Sequence, residues 1–279
     1  MKLGRYELVE RLGAGATAEV YRARDPRGGH VVVKRVHPHL ALNEALRHLF
    51  DREARVSMSL QHPNIVRVLE ACDVDGELFL VMEHLRGSGL DAFMRAYLTR
   101  HRAPPPLGLT AHVVAGVARG LAYAHARRVV HRDVSPSNVL IVEDASVKLL
   151  DFGIAKVVAE SRAHSLTEIR GKAGYIAPET LEGRPIDHRV DIFATGVLLH
   201  EMLAGQRLFN GSVVQMLSAL KAGRIPSPAD ANPDVPPELA ELCFRALERD
   251  PARRLPDVGE IATALAPLAT TRGWDPTLR

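Results

Sequence analysis

The chain of 279 residues has only two cysteines, Cys72 and Cys243, far apart and in no metal-ligand or redox spacing. That excludes a disulfide-stapled secreted fold and points to a reducing compartment. No apolar run reads as long enough to cross a bilayer, and the N-terminal MKLGRYELVERLG lacks the apolar centre of a signal peptide. A cytoplasmic location with no membrane segment in this chain is therefore expected, which is compatible with tethering through segments outside it. Nor is there a block of one charge. The net charge is +3, with basic and acidic residues mixed along the chain, so no nucleic-acid partner is expected. Repeats and low-complexity tracts are absent as well. What is present is ordinary globular material, 46% hydrophobic and 25% charged, enough for a sizeable core. The length suits two domains or one domain in two lobes.

The first 85 residues read as strands with one long helix. RYELVERLGAG and AEVYRARD alternate apolar and polar positions, and DPRGG is a turn before HVVVKRV. LNEALRHLFDREARVSMSL places Leu42, Ala45, Leu46, Leu49 and Phe50 on one helical face, and His62, Pro63 and Asn64 stop it. IVRVLEACDV and GELFLVMEHL form another strand pair around Asp75 and Gly76. From residue 86 to 279 the chain reads as mostly helical. Thr110 is the expected cap of AHVVAGVARGLAYAHARR. DIFATGVLLHEMLAG is apolar on nearly every face, which predicts a buried central helix ended by Gly205.

Five motifs carry chemistry. GAGATAEV, residues 13–20, is a glycine-poor G-x-G-x-x-G-x-V loop with Ala18 in the third glycine slot. Alone it is a hairpin turn. Followed by VVVK it becomes a phosphate cradle, in which backbone N–H groups and the strand-borne Lys34 reach the same oxygens. Lys34 on an apolar strand needs a carboxylate partner, and Glu53 on the long helix is the candidate; the bland alternative is a solvated helix glutamate. HRDVSPSN supplies Asp133 as a base and Asn138 as an oxygen ligand. LLDFG supplies a second carboxylate, Asp151. Asn138 with Asp151 suits a hard cation. The ordered set is completed by Ala177, Pro178 and Glu179.

This set resembles the protein kinase family, most closely its bacterial, eukaryotic-like Ser/Thr group, from Tyr6 to about Leu268. The resemblance implies an α+β, two-lobed fold: a small antiparallel-sheet N-lobe with one long helix (1–85), a larger mostly helical C-lobe (86–279), and ATP in the cleft. It implies transfer of the γ-phosphoryl of ATP to Ser/Thr hydroxyls of protein substrates, with Mg2+ as the cation and Mn2+ as its substitute. Lys34 would grip the α- and β-phosphates, beneath a loop of Leu12, Gly13, Ala14, Gly15, Ala16, Thr17 and Ala18. Val20, Val32 and Leu140 would sandwich adenine, Met82 would guard the back of its pocket, and Glu83 and Leu85 would meet it through the backbone. Asp133 would take the substrate hydroxyl's hydrogen bond, and Asn138 and Asp151 would hold the metal. Glu179 would pair with Arg254, and Asp191 would anchor the catalytic loop.

Three positions depart from that pattern: Ala18, Ser57 and Ser135. Ser57 takes the place of a bulky apolar residue stacked with Phe152 and His131, so the long helix should be held less firmly. Ser135 stands where Ser/Thr kinases carry Lys. In GKAGYIAPE, Lys172 stands where they carry Thr, so the pair looks exchanged, and Lys172 is expected to supply the charge that Ser135 lacks. Ser165 and Thr167 are the candidate phosphosites, with Arg132 the expected phosphate partner and Glu168 a partial mimic. The alternative reading is a pseudokinase, a nucleotide-binding or scaffolding module. Ala18, Ser57 and Ser135 favour it; Lys34, Asp133, Asn138 and Asp151 oppose it. A small-molecule phosphotransferase is opposed by the Ala-Pro-Glu segment. Pro136 and the lack of an arginine-rich loop favour Ser/Thr over Tyr. Substrate identity and oligomeric state are not legible.

Overall fold

The computed structural model describes residues 1–152, 173–209, 215, 218–219, 222–223 and 225–278. It divides into two compact units. The first contains Met1–Arg86 together with Asp151 and Phe152; the second runs from Gly87 to Leu150 and takes up the described residues from Ala173 onward. The sequence reading placed Asp151 with the helical part. In the structure it belongs to the first unit, where it pairs with Lys34.

The first unit is a six-stranded antiparallel sheet in the order β1-β2-β3-β4-β6-β5, with β1 Lys2–Leu3, β2 Tyr6–Ala14, β3 Ala18–Arg24, β4 His30–Val36, β5 Val68–Val74 and β6 Glu77–Glu83. The β3–β4 turn closes on Asp25, whose Oδ1 accepts the N–H groups of Arg27 and Gly29. The β5–β6 turn needs two left-handed residues, and Asp75 and Gly76 adopt φ of +53° and +82°, the pattern two-residue hairpins favour.

Strand alternation gives the sheet two apolar faces. Val31, Val33, Val81, Phe79 and Tyr6 pack on one side. Val36, Leu78 and Leu80 pack on the other against helix α2, Glu44–Ser59, with α1, Pro38–Ala41, beside it. Asn43 caps α2 through Leu46 N–H, and Leu46, Phe50, Ala54 and Ser57 form its buried stripe.

The second unit opens with β7, Gly87–Gly89, which pairs with β8, Val139–Val142, and through it with β9, Val147–Leu149. Among the described residues its helices include α3 Leu90–His101, α4 Leu107–His125, α5 Pro178–Leu181, α6 Arg189–Ala204, α7 Pro228–Ala231, α8 Pro237–Ala246 and α9 Gly259–Leu265. Every residue of α6 from Val190 to Ala204 is buried, and Gly205 ends the helix at φ +67°. Thr110 does not cap α4. The helix starts a turn earlier, behind Pro106, and Thr110 is fully buried within it. By length and hydropathy α4 meets the criterion for a bilayer-crossing helix, which the sequence reading did not anticipate; 67% of its apolar window is buried inside the fold.

Residues after Leu268, beyond the reach of the motifs, fold back on this unit. Thr270 N–H donates to Gly108 O, the Trp274 ring packs at a tilt against Phe93, and Asp275 pairs with Arg100.

Candidate active site

In the first unit, Val20, Val32, Lys34 and Met82 share one face of the sheet, because Val20 pairs with Lys34 and Val32 with Met82 in register. Val20 and Val32 are half-buried, while Met82 and Ala18 are buried. Glu83 is tied to Arg67 twice: Glu83 N–H donates to Arg67 O, and Arg67 N–H donates to Glu83 Oε1. Leu12 is exposed, on the rim of the glycine-rich loop.

Lys34 is 8% exposed, so its ammonium requires a partner. That partner is Asp151, at 2.7 Å. The pair expected with Glu53 is not formed, and Glu53 makes its contacts elsewhere. Spacing named only Glu53 for this role; the folded geometry puts Asp151 there instead. Asp151 has φ +57°, a left-handed turn that Asp tolerates better than most residues.

Ser57 also differs from expectation. It is buried, and its hydroxyl donates to Phe152 O at 3.4 Å. The helix is joined to the Phe152 carbonyl by a hydrogen bond where a loosened stack was expected.

In the second unit, the loop 131–138 is built around Asp191. Its Oδ2 accepts the backbone N–H of His131 and its Oδ1 that of Arg132, both at 2.7 Å; His125 Nε2 donates to Oδ2 at 2.8 Å. These bonds hold Arg132 at φ +63°, a conformation that costs energy outside glycine and persists only when over-determined. Burial would raise the Asp191 pKa, but His125 and the other donors outweigh it and hold the carboxyl below its ordinary range. His125, the last residue of α4, was missed in the sequence; only its distance from Asp191 identifies it.

His131 is fully buried, with both ring nitrogens engaged. Leu150 O can only accept, so Nε2 donates to it at 2.8 Å; Asp133 N–H can only donate, so Nδ1 accepts at 3.2 Å. One neutral tautomer satisfies both bonds.

Asn138 Nδ2 donates to Asp133 O at 2.7 Å and to Asp133 Oδ2 at 2.9 Å. This fixes the amide's orientation and turns its oxygen away, as a hard-cation ligand requires. Ser135 is buried, and its Oγ lies 3.1 Å from Ser137 Oγ, within its own loop. Leu140 is half-buried on β8. Lys172, Ser165, Thr167 and Glu168 lie outside the described residues.

Arg254 and Glu179 form a two-pronged pair, Nη1–Oε1 at 2.8 Å and Nη2–Oε2 at 3.1 Å, essentially without solvent contact. Nearby, Tyr175 donates to Glu201 of α6, and Arg207 completes the group. Burial pushes the Glu201 carboxyl above its ordinary pKa, against the pull of Arg207.

Comparison with known proteins places this geometry. The family model described as "Protein kinase domain" matches residues 6–264. Tyrosine-protein kinase MasK of Myxococcus xanthus is 38% identical over 94% of this chain and 42% of its own length. Serine/threonine-protein kinase PknD of Mycobacterium tuberculosis is 32% identical over 97% of this chain and 40% of its own. The chain spans about two fifths of the length of the curated relatives it matches. Among solved structures, the Mycobacterium tuberculosis PknI kinase domain superposes with a TM-score of 0.74 at 29% identity, covering 96% of this chain and 98% of that one. With the same fold and a family match over nearly its whole length, this chain belongs to the protein kinase domain family.

Proposed function

We propose that the chain is the catalytic domain of an ATP-dependent protein kinase that phosphorylates Ser and Thr. The observation that carries this is the Asp133 carboxylate, held by Asn138 Nδ2 on a main chain whose N–H at Asp133 donates to His131 Nδ1. A base needs this kind of fixed geometry to meet a substrate hydroxyl. Lys34, buried and paired with Asp151, is the proposed phosphate ligand. When bound, a divalent ion, Mg2+ in this reading, would neutralise charge on the phosphates; Asn138 and Asp151 supply the oxygen donors suited to it. These intact parts weigh against the pseudokinase reading.

PknD, a serine/threonine-protein kinase by name, favours Ser/Thr. Tyrosine phosphorylation is the second reading, favoured by MasK, a tyrosine-protein kinase by name. One experiment tests both: γ-labelled ATP, Mg2+ and a basic protein substrate, followed by phosphoamino-acid analysis. Label on Ser or Thr is expected. Label on Tyr alone overturns the specificity, and no label overturns the kinase reading. Mass spectrometry of the same reaction is expected to locate autophosphorylation on Ser165 or Thr167.

Ser135 leaves the catalytic loop without its usual cation, and Lys172 is the proposed substitute. Lys172→Ala should lower kcat about tenfold with ATP saturating. That is less than the loss of a buried, preorganised donor, because a lysine on a flexible stem is less fixed. An unchanged kcat would refute the exchange.

A further inference from the structure

The glycine-rich loop is held by a residue outside its own motif. His37 follows β4 and is half-buried. Its ring Nε2 lies 2.8 Å from Gly15 O, and its backbone N–H donates to Thr17 O at 3.0 Å. A carbonyl oxygen only accepts, so Nε2 carries the proton. The ring is steadied by His39, which stacks on it with centroids 5.6 Å apart and planes 17° from parallel. The loop closes on itself through Gly15 N–H to Ala18 O at 2.9 Å.

In a trans peptide the C=O and N–H point in opposite directions. Two carbonyls drawn toward His37 therefore direct the amides of Ala16 and Ala18 to the opposite side. Successive backbone amides in a loop of this kind are what gather around anionic oxygens. With Ala18 in the third glycine slot the backbone has fewer conformations to sample, and the His37 contacts select among those left.

We propose that His37 is a positioning residue for the phosphate-binding loop. By holding the carbonyls of Gly15 and Thr17, it sets the direction of the loop amides before nucleotide arrives, so that less ordering is required on binding. This rests on the reading that the loop binds ATP.

The test is isothermal titration of the whole chain with MgATP and with adenosine, for wild type, His37→Ala and His37→Gln. Only the side-chain bond is lost in His37→Ala, since the bond to Thr17 belongs to the main chain. MgATP affinity should fall about fivefold, the scale of one net hydrogen bond, while adenosine affinity stays unchanged. Gln carries an N–H donor at similar reach and should recover most of the loss. Unchanged MgATP affinity in His37→Ala, an equal loss for adenosine, or a Gln variant no better than Ala would overturn the proposal. A wild type that binds neither molecule would overturn the nucleotide reading itself. If His37→Ala does not fold, His37→Gln against wild type still decides: near-equal MgATP affinity is expected, and a fivefold loss refutes a transferable donor.

Discussion

Asp133→Asn is expected to slow phosphoryl transfer by about 10²–10⁴-fold, the range of a positioned general base, with nucleotide affinity almost unchanged. The substitution preserves shape. Asn138 Nδ2 donates to Asp133 Oδ2 at 2.9 Å, so the new amide would turn its oxygen toward Asn138 to keep that bond. Its NH₂ group would then occupy the place of the other carboxylate oxygen. An acceptor for the substrate hydroxyl becomes a donor, and the proton has no basic oxygen to move to. The backbone N–H of residue 133 still donates to His131 Nδ1, and the loop still hangs from Asp191. Stability should therefore stay near wild type, which separates a chemical defect from a folding defect. Steady-state rates with saturating ATP, beside a titration of nucleotide binding, measure both quantities. A variant that keeps more than about a tenth of wild-type kcat would remove Asp133 from the role of base.

Arg254→Ala is expected to be the most destabilising single change described, costing about 3–5 kcal/mol. Against a typical domain stability of roughly 5–15 kcal/mol, that is a large fraction. The side chains of Arg254 and Glu179 are 0% and 3% exposed, so water cannot replace the lost partner of the carboxylate. Arg254 also donates to the carbonyls of Arg189 and Glu248, at 2.8 and 2.9 Å. One guanidinium thus joins the first turn of α5, the start of α6 and the segment before α9. Most of the cost is the penalty of leaving Glu179 charged and unpaired. Adding Glu179→Gln to Arg254→Ala should accordingly recover part of the loss, a coupling that a double-mutant cycle reads directly. Urea unfolding followed by circular dichroism gives the free energies. A loss under about 1 kcal/mol for Arg254→Ala would show that solvent reaches the pair.

Much of the architecture was legible in the residues because its signals are local. Strand alternation, the Asp75-Gly76 turn and the all-round apolar character of α6 each follow from the physics of a short stretch, whereas of the face expected on α2 only Leu46 and Phe50 are buried, Leu42 and Ala45 being exposed. Thr110 shows where local reasoning stops. A good capping residue stands there, yet α4 begins earlier because a proline can stand before the first turn and the helix gains by burying the extra residues. The candidate chemistry was legible for a related reason: Lys34, Asp133, Asn138 and Asp151 occur in a fixed order within short motifs.

Which group meets which was decided by tertiary structure. Charge balance required a carboxylate at Lys34 and nominated Glu53, but Coulomb energy falls with distance, and the fold brings Asp151 to 2.7 Å. Ser57 read as a weakened stack until burial brought its hydroxyl to the Phe152 carbonyl. His37 and His125 carried no sequence signal, because a histidine's role depends on the atom its ring nitrogens face. The sequence by itself therefore determined the elements and the chemical groups available to them. Only the folded chain decided the pairings, since a hydrogen bond or ion pair is made over a few ångströms between residues that the sequence separates by dozens.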